Sequence, residues 1–185
     1  IKAEGGWERV RLPPKIQRTV TPLGLESPEG WERLLPSTQL PLEDNEVLET
    51  NQHRIAMNAL IRSIRHHWAG RTDFIVGGNM FVYFSPAQVR THDYRGPDFF
   101  VALDVNGSYS RQAWVAWEEN WKFPDVIIEL LSDSTKAVDL GVKKTLYEQT
   151  FQTTDYFVFD PFDTHSLRGW HLSTTRRYEE LRPNE

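Results

Sequence analysis

Apolar positions along this chain repeat with two periods. Between Glu46 and Trp68, the residues Ile55, Met57, Ala59, Leu60, Ile61, Ile64 and Trp68 recur near the helical period, which predicts a long first helix with Gly70 as its stop. Short apolar runs bounded by turn residues follow and read as strands: Phe74 to Val76, Met80 to Phe84, Asp98 to Val105, Trp114 to Trp117 and Val126 to Leu131. Gly77-Gly78-Asn79 is expected to join the first two as a hairpin turn, and Asn106-Gly107 to close the third. A second helix is predicted from Ser134 to Phe151, then strands at Asp155 to Asp160, Leu167 to Leu172 and Arg176 to Leu181. Helix, strands, helix, strands in this order imply an α/β fold with a mixed β-sheet flanked by helices. Pro13, Pro14, Pro22, Pro28, Pro36 and Pro41 mark the opening segment as an extended N-terminal arm with turns, carrying a short helix around Glu29 to Leu35.

Composition narrows the function classes. The 185 residues suffice for one domain with a real core, and no stretch approaches the roughly 20 apolar residues of a membrane helix. The chain begins with Ile rather than Met, so its N-terminus reads as trimmed. It contains no cysteine, which rules out disulfides and thiolate metal sites and is compatible with a cytoplasmic location. The net charge of -5 argues against coating nucleic acid through bulk charge but leaves room for a local basic groove. Six histidines fall in no HExxH or paired zinc spacing.

One residue breaks the pattern. Glu129 interrupts Val126-Ile127-Ile128-Glu129-Leu130-Leu131, otherwise a buried strand, and a carboxylate there is costly unless paired. Asp98 opens a similar run, Asp98-Phe99-Phe100-Val101-Ala102-Leu103. Two strands carrying one acid each can set two carboxylates side by side, and hard divalent cations such as Mg²⁺ take oxygen ligands of this kind. Asp98, Glu129 and the Leu130 carbonyl would suit Mg²⁺, with Mn²⁺ as a substitute, and Lys143 or Lys144 on the next helix could neutralise a phosphate. A strand acid is also commonly paired with Arg or Lys, or exposed at a sheet end. Asp139, Lys143 and Tyr147 lie four residues apart and share one helix face.

The chain resembles the Uma family of restriction-type endonucleases, a bacterial group with the PD-(D/E)XK nuclease fold. The resemblance rests on Leu40-Pro41 to Thr50 with His53, Gly77-Gly78-Asn79-Met80-Phe81-Val82-Tyr83, Gly96-Pro97-Asp98-Phe99-Phe100-Val101, Trp117-Glu118-Glu119, and Pro124-Asp125 through Ser132. Asp139, Lys143, Tyr147 and Asp155 through Pro161 complete it. It implies a restriction-endonuclease-like domain over residues 38–185 behind an arm of residues 1–37. The implied activity is Mg²⁺-dependent hydrolysis of DNA phosphodiesters; the Trp content and the need to cut two strands suggest a two-fold homodimer. Asp98 matches the first nuclease acid and Glu129 the second. The lysine usual two residues after the second acid is replaced by Leu131, and Lys143 matches the family's lysine on the following helix.

Glu49 and His53 are helix neighbours that could face the same site, or form a solvated helix start. Ser132, Ser134 and Thr135, with Asp133, are expected to cap the second helix. His66 and His67 read as surface residues, and Trp114, Trp117 and Trp121 as core or dimer contacts. The alternative to an enzyme is a catalytically silent nuclease fold kept as a binding or assembly module.

Overall fold

The computed structural model describes residues 50–85 and 96–182. The predicted arm, residues 1–37, and the predicted helix start at Glu46 lie outside the described residues. Helix α1 is Asn51–His67, capped by Thr50, whose side chain accepts the His53 N–H at 3.3 Å. Arg65, His66 and His67 occupy its last turn, where the helix dipole favours positive charge. Then come β1 (Phe74–Gly78), β2 (Val82–Tyr83), β3 (Phe99–Leu103), β4 (Trp114–Val115) and β5 (Val126–Leu130). Helix α2 covers residues 136–151 and is followed by β6 (Asp155–Asp160), β7 (Asp163–Leu172) and β8 (Tyr178–Glu180). No helix among the described residues is long and apolar enough to cross a membrane.

Six strands form one mixed sheet in the order β1-β3-β5-β6-β7-β8. Only β5 and β6 run parallel within it, and α2 is the crossover that joins them. Strands β2 and β4 make a separate parallel pair. The glycine-rich turn therefore does not close a hairpin. β1 continues straight through Gly77 and Gly78 and pairs with β3, and the chain leaves at Asn79, which adopts a positive φ of 47°. Gly77 stays in the strand because it faces Phe100 across the ladder, whose ring occupies the space a side chain would need.

Alternation along the strands divides the core in two. Val76, Phe99 and Val101 meet Leu60, Ile61, Ile64 and Trp68 of α1 on one face. Phe100, Ile127, Tyr156, Val158 and Trp170 point to the other, under α2 and the β2–β4 pair. Each large side chain fully buried here contributes roughly 1.5–3 kcal/mol. Trp114 is completely buried, as a core role requires, whereas Trp121 is exposed.

Gly77→Ala should lower stability by about 1–3 kcal/mol, because its new methyl group overlaps the Phe100 ring. Urea unfolding of Gly77→Ala, Phe100→Leu and the double variant measures this. The double variant should lose less than the sum of the two single losses; strict additivity would contradict the close approach.

Candidate active site

Antiparallel pairing of Phe99 with Ile128 fixes the neighbourhood of the two acids. One step further along that register, Asp98 stands opposite Glu129. Each carboxylate holds the other's strand: Asp98 Oδ2 accepts the Leu130 N–H at 2.6 Å, and Glu129 Oε2 accepts the Asp98 N–H at 3.2 Å. Glu129 is fully buried on the α2 side of the sheet. Its other oxygen, Oε1, accepts the Tyr147 hydroxyl at 2.7 Å and lies 3.2 Å from the Lys143 ammonium.

The winding of α2 aims these partners. Lys136–Val138 and Lys144–Leu146 are α-helical, whereas Asp139–Lys143 and Tyr147–Phe151 form π turns. In α winding, a step of four residues overshoots a full turn by about 40°. The wider π turns take that excess back, so Asp139, Lys143, Tyr147 and Phe151 stay in one straight row against the sheet. Asp139, Tyr147 and Phe151 are buried, and the Tyr156 hydroxyl donates to the Asp139 carbonyl at 2.8 Å. Lys143 Nζ reaches 2.9 Å from Asp139 Oδ1. That ion pair is what this buried oxygen has for a partner among the described residues. Lys144 turns away and sits 3.9 Å from the centre of the Trp170 ring.

Charges in this row are strongly coupled. Burial pushes Lys143 toward its neutral form, but Glu129 and Asp139 outweigh it and raise the pKa, so the side chain stays an ammonium. Burial raises the Glu129 pKa, and Asp139 adds to the rise; Lys143, Tyr147 and the Asp98 N–H pull the other way. With all three acids ionised, one lysine leaves two negative charges uncompensated, which is the charge of one divalent cation. The donors are hard oxygens. These residues fit a magnesium-type ion that takes two carboxylates and completes its shell with carbonyl and water oxygens. No cluster of three or more His, Asp or Glu among the described residues is arranged to hold a metal alone.

His53 approaches from α1 on the opposite face. Its Nε2 lies 3.0 Å from the Leu131 carbonyl and its Nδ1 2.6 Å from Thr50 Oγ1, so it touches the end of β5 rather than the acids' oxygens. Glu49 lies outside the described residues. The structure thus gathers Asp98, Glu129 and Lys143, and puts Leu130 in the hydrogen bond to Asp98. Sequence reasoning noted the shared face of Asp139 and Tyr147 but gave neither a role; their four-residue spacing from Lys143 was the signal. The N-cap of α2 is Thr135, which makes no side-chain cap hydrogen bond; the expected serine and threonine bonds instead close the turn before it, with Ser132 Oγ accepting the Thr135 N–H at 3.2 Å and Thr135 Oγ1 the Ser132 N–H at 3.3 Å.

A carboxyl whose pKa rises on folding stabilises fully below its ordinary value near 4.5, and that contribution is lost as pH climbs through the folded pKa. Metal-free wild type should therefore lose stability relative to Glu129→Gln as pH rises from about 4 to about 8. Urea midpoints of both proteins across that range measure the difference; a difference independent of pH would contradict the assignment.

The Uma2 family model, described as "Putative restriction endonuclease", matches residues 30–185. No curated protein matches the sequence. The fold is similar to the 1.96 Å crystal structure of a "putative nuclease belonging to DUF820" from Anabaena variabilis ATCC 29413. The TM-score is 0.51 and the identity 12%, over 74% of this chain and 70% of that one. At that identity the likeness speaks for the nuclease-like fold alone, while the family match spans most of the sequence: the chain belongs to the Uma2 family.

Proposed function

We propose that this protein is a metal-dependent endonuclease that hydrolyses DNA phosphodiester bonds. The observation that carries this reading is the pairing of Asp98 with Glu129 on adjacent strands, with the Lys143 ammonium 3.2 Å from Glu129. Membership of a family described as restriction endonucleases supports it. Asp98, Glu129 and the Leu130 carbonyl would hold the ion, Mg²⁺ by preference and Mn²⁺ as its substitute. When bound, such an ion lowers the pKa of a coordinated water and stabilises negative charge on phosphate.

The chain's own groups set the rest. Lys143 is a fixed cation that can orient water or meet the charge developing on the scissile phosphate. Asp139 pairs with it, and Tyr147 fixes the Glu129 oxygen that it faces. Glu49 and His53 are assigned outer roles, His53 by fixing the end of β5 through the Leu131 carbonyl. Cutting both strands of a duplex calls for two such sites, and a two-fold homodimer supplies them. Exposed Trp121 is available for that contact.

A second reading keeps the fold without turnover, as a binding or assembly module. One observation favours it: both oxygens of Glu129 are already engaged by Tyr147, Lys143 and the Asp98 N–H. Magnesium titration separates the two readings. Wild type should melt at higher temperature with magnesium, because the ion binds only the folded site, and Glu129→Gln should not.

Glu129→Gln should abolish magnesium-dependent cleavage of plasmid DNA while the protein stays folded. Lys143→Ala should keep the magnesium-dependent melting shift but cut turnover by about 10²–10³-fold, the usual loss of one charge-stabilising donor. If wild type shows neither a melting shift nor cleavage of any DNA, the module reading replaces the nuclease. Solution scattering tests assembly, and a monomer at working concentration would count against the dimer.

A further inference from the structure

Helix α1 carries no acidic residue in seventeen positions, in a chain with 26 acids and a net charge of -5. Its basic side chains are ordered rather than scattered. Arg54, Arg62 and Arg65, with Asn51 and Asn58 between and before them, fall at helical spacing and form one stripe, and all five are exposed. The apolar side of the same helix, Leu60, Ile61, Ile64 and Trp68, is turned to the sheet, so packing does not explain the stripe. Among the described residues, Arg54 bonds only within the stripe, to Asn51 Oδ1 at 2.7 Å, and Arg62 and Arg65 make no ion pair. The first acid after the helix, Asp73, is taken up by Arg71 at 2.8 Å.

The position of the stripe matters as much as its charge. Arg54 follows His53, whose ring lies 3.0 Å from the Leu131 carbonyl, two residues beyond Glu129. The first turn of α1, where the stripe begins, therefore lies beside the end of the strand that carries the second acid, and the stripe runs away from it along the helix. From Arg54 to Arg65 it spans roughly 16 Å at 1.5 Å per residue. With one phosphate per roughly 3.4 Å of strand, that length matches about five nucleotides of a DNA backbone.

From this we propose that the exposed stripe of α1 is the track on which double-stranded DNA lies, positioning it by phosphate contacts while the end of β5 receives the scissile bond. This deepens the nuclease reading and rests on its substrate class, but not on turnover. Arginine and asparagine side chains at these positions donate to phosphate oxygens without reading base identity, so the contact is independent of sequence. A locally basic helix on an acidic protein also orients approach, since the rest of the surface repels the duplex.

The test uses the full chain carrying Glu129→Gln, so that cleavage does not intervene, and a fluorescein-labelled DNA duplex of about thirty base pairs, long enough to cover the roughly 16 Å track. Binding is measured by anisotropy as salt is varied, with Arg62→Ala/Arg65→Ala against an Arg176→Ala control at an exposed site elsewhere. Losing two phosphate contacts should make the slope of log K against log salt shallower by about 2, and weaken binding roughly tenfold or more at low salt, equally for unrelated sequences. The control should bind as the parent does. Unchanged affinity and slope in the double variant, or an equal loss in the control, would overturn the proposal. So would weakened binding confined to an RNA duplex of the same sequence. Stripe-dependent binding, with no cleavage by the protein that keeps Glu129, would leave this inference standing while the catalytic reading falls. Cleavage and normal binding by Arg62→Ala/Arg65→Ala in the protein that keeps Glu129 would do the reverse.

Discussion

Everything at the candidate site depends on one costly placement: the carboxylate of Glu129, fully buried between the sheet and α2. A lone acid in that position would be expelled or neutralised. Here the protein surrounds it with a hydroxyl from Tyr147, an ammonium from Lys143 and the backbone N–H of Asp98. Removing a partner would leave a buried group unpaired, which costs more than the pair itself contributes. The geometry is therefore held by mutual need: β3 against β5 through Asp98, and α2 against β5 through the row from Asp139 to Tyr147.

That row explains why α2 is not a regular helix. A uniform α-helix would let the four-residue series drift off the sheet, carrying Asp139 or Tyr147 away from Glu129. Two π turns cancel the drift at the expense of weaker local winding. The compensating gain is a straight line of buried side chains that aims one lysine at two acids. Lys143 thus reaches Glu129 from α2, and the strand position two residues beyond that acid is left to Leu131, which packs into the core.

Much of this was legible in the sequence because it violates local pattern. A glutamate inside Val126 to Leu131 signals a need for partners, and the spacing of Asp139, Lys143 and Tyr147 states which face will supply them. Strands β5 and β6 were readable for the same reason, as apolar runs between clear turn residues. The misplaced hairpin shows the limit. Gly77-Gly78 looks like a turn from sequence, but whether a glycine bends a strand or lets a ring close over it depends on Phe100, more than twenty residues away. The π turns have no sequence signature either, since they arise from tertiary demand on α2. His53 was readable as a helix residue facing the site's neighbourhood, but its contact with the Leu131 carbonyl comes only from the packing of α1.

The central claim is that Asp98 and Glu129 form a cation site rather than a purely structural lock. Anomalous diffraction from manganese-soaked crystals tests it most directly. The account predicts a peak between the two carboxylates, with Lys143 remaining within reach of Glu129. An empty position there at high manganese, with the Lys143 ammonium and Tyr147 hydroxyl still filling both sides of Glu129 Oε1, would contradict it.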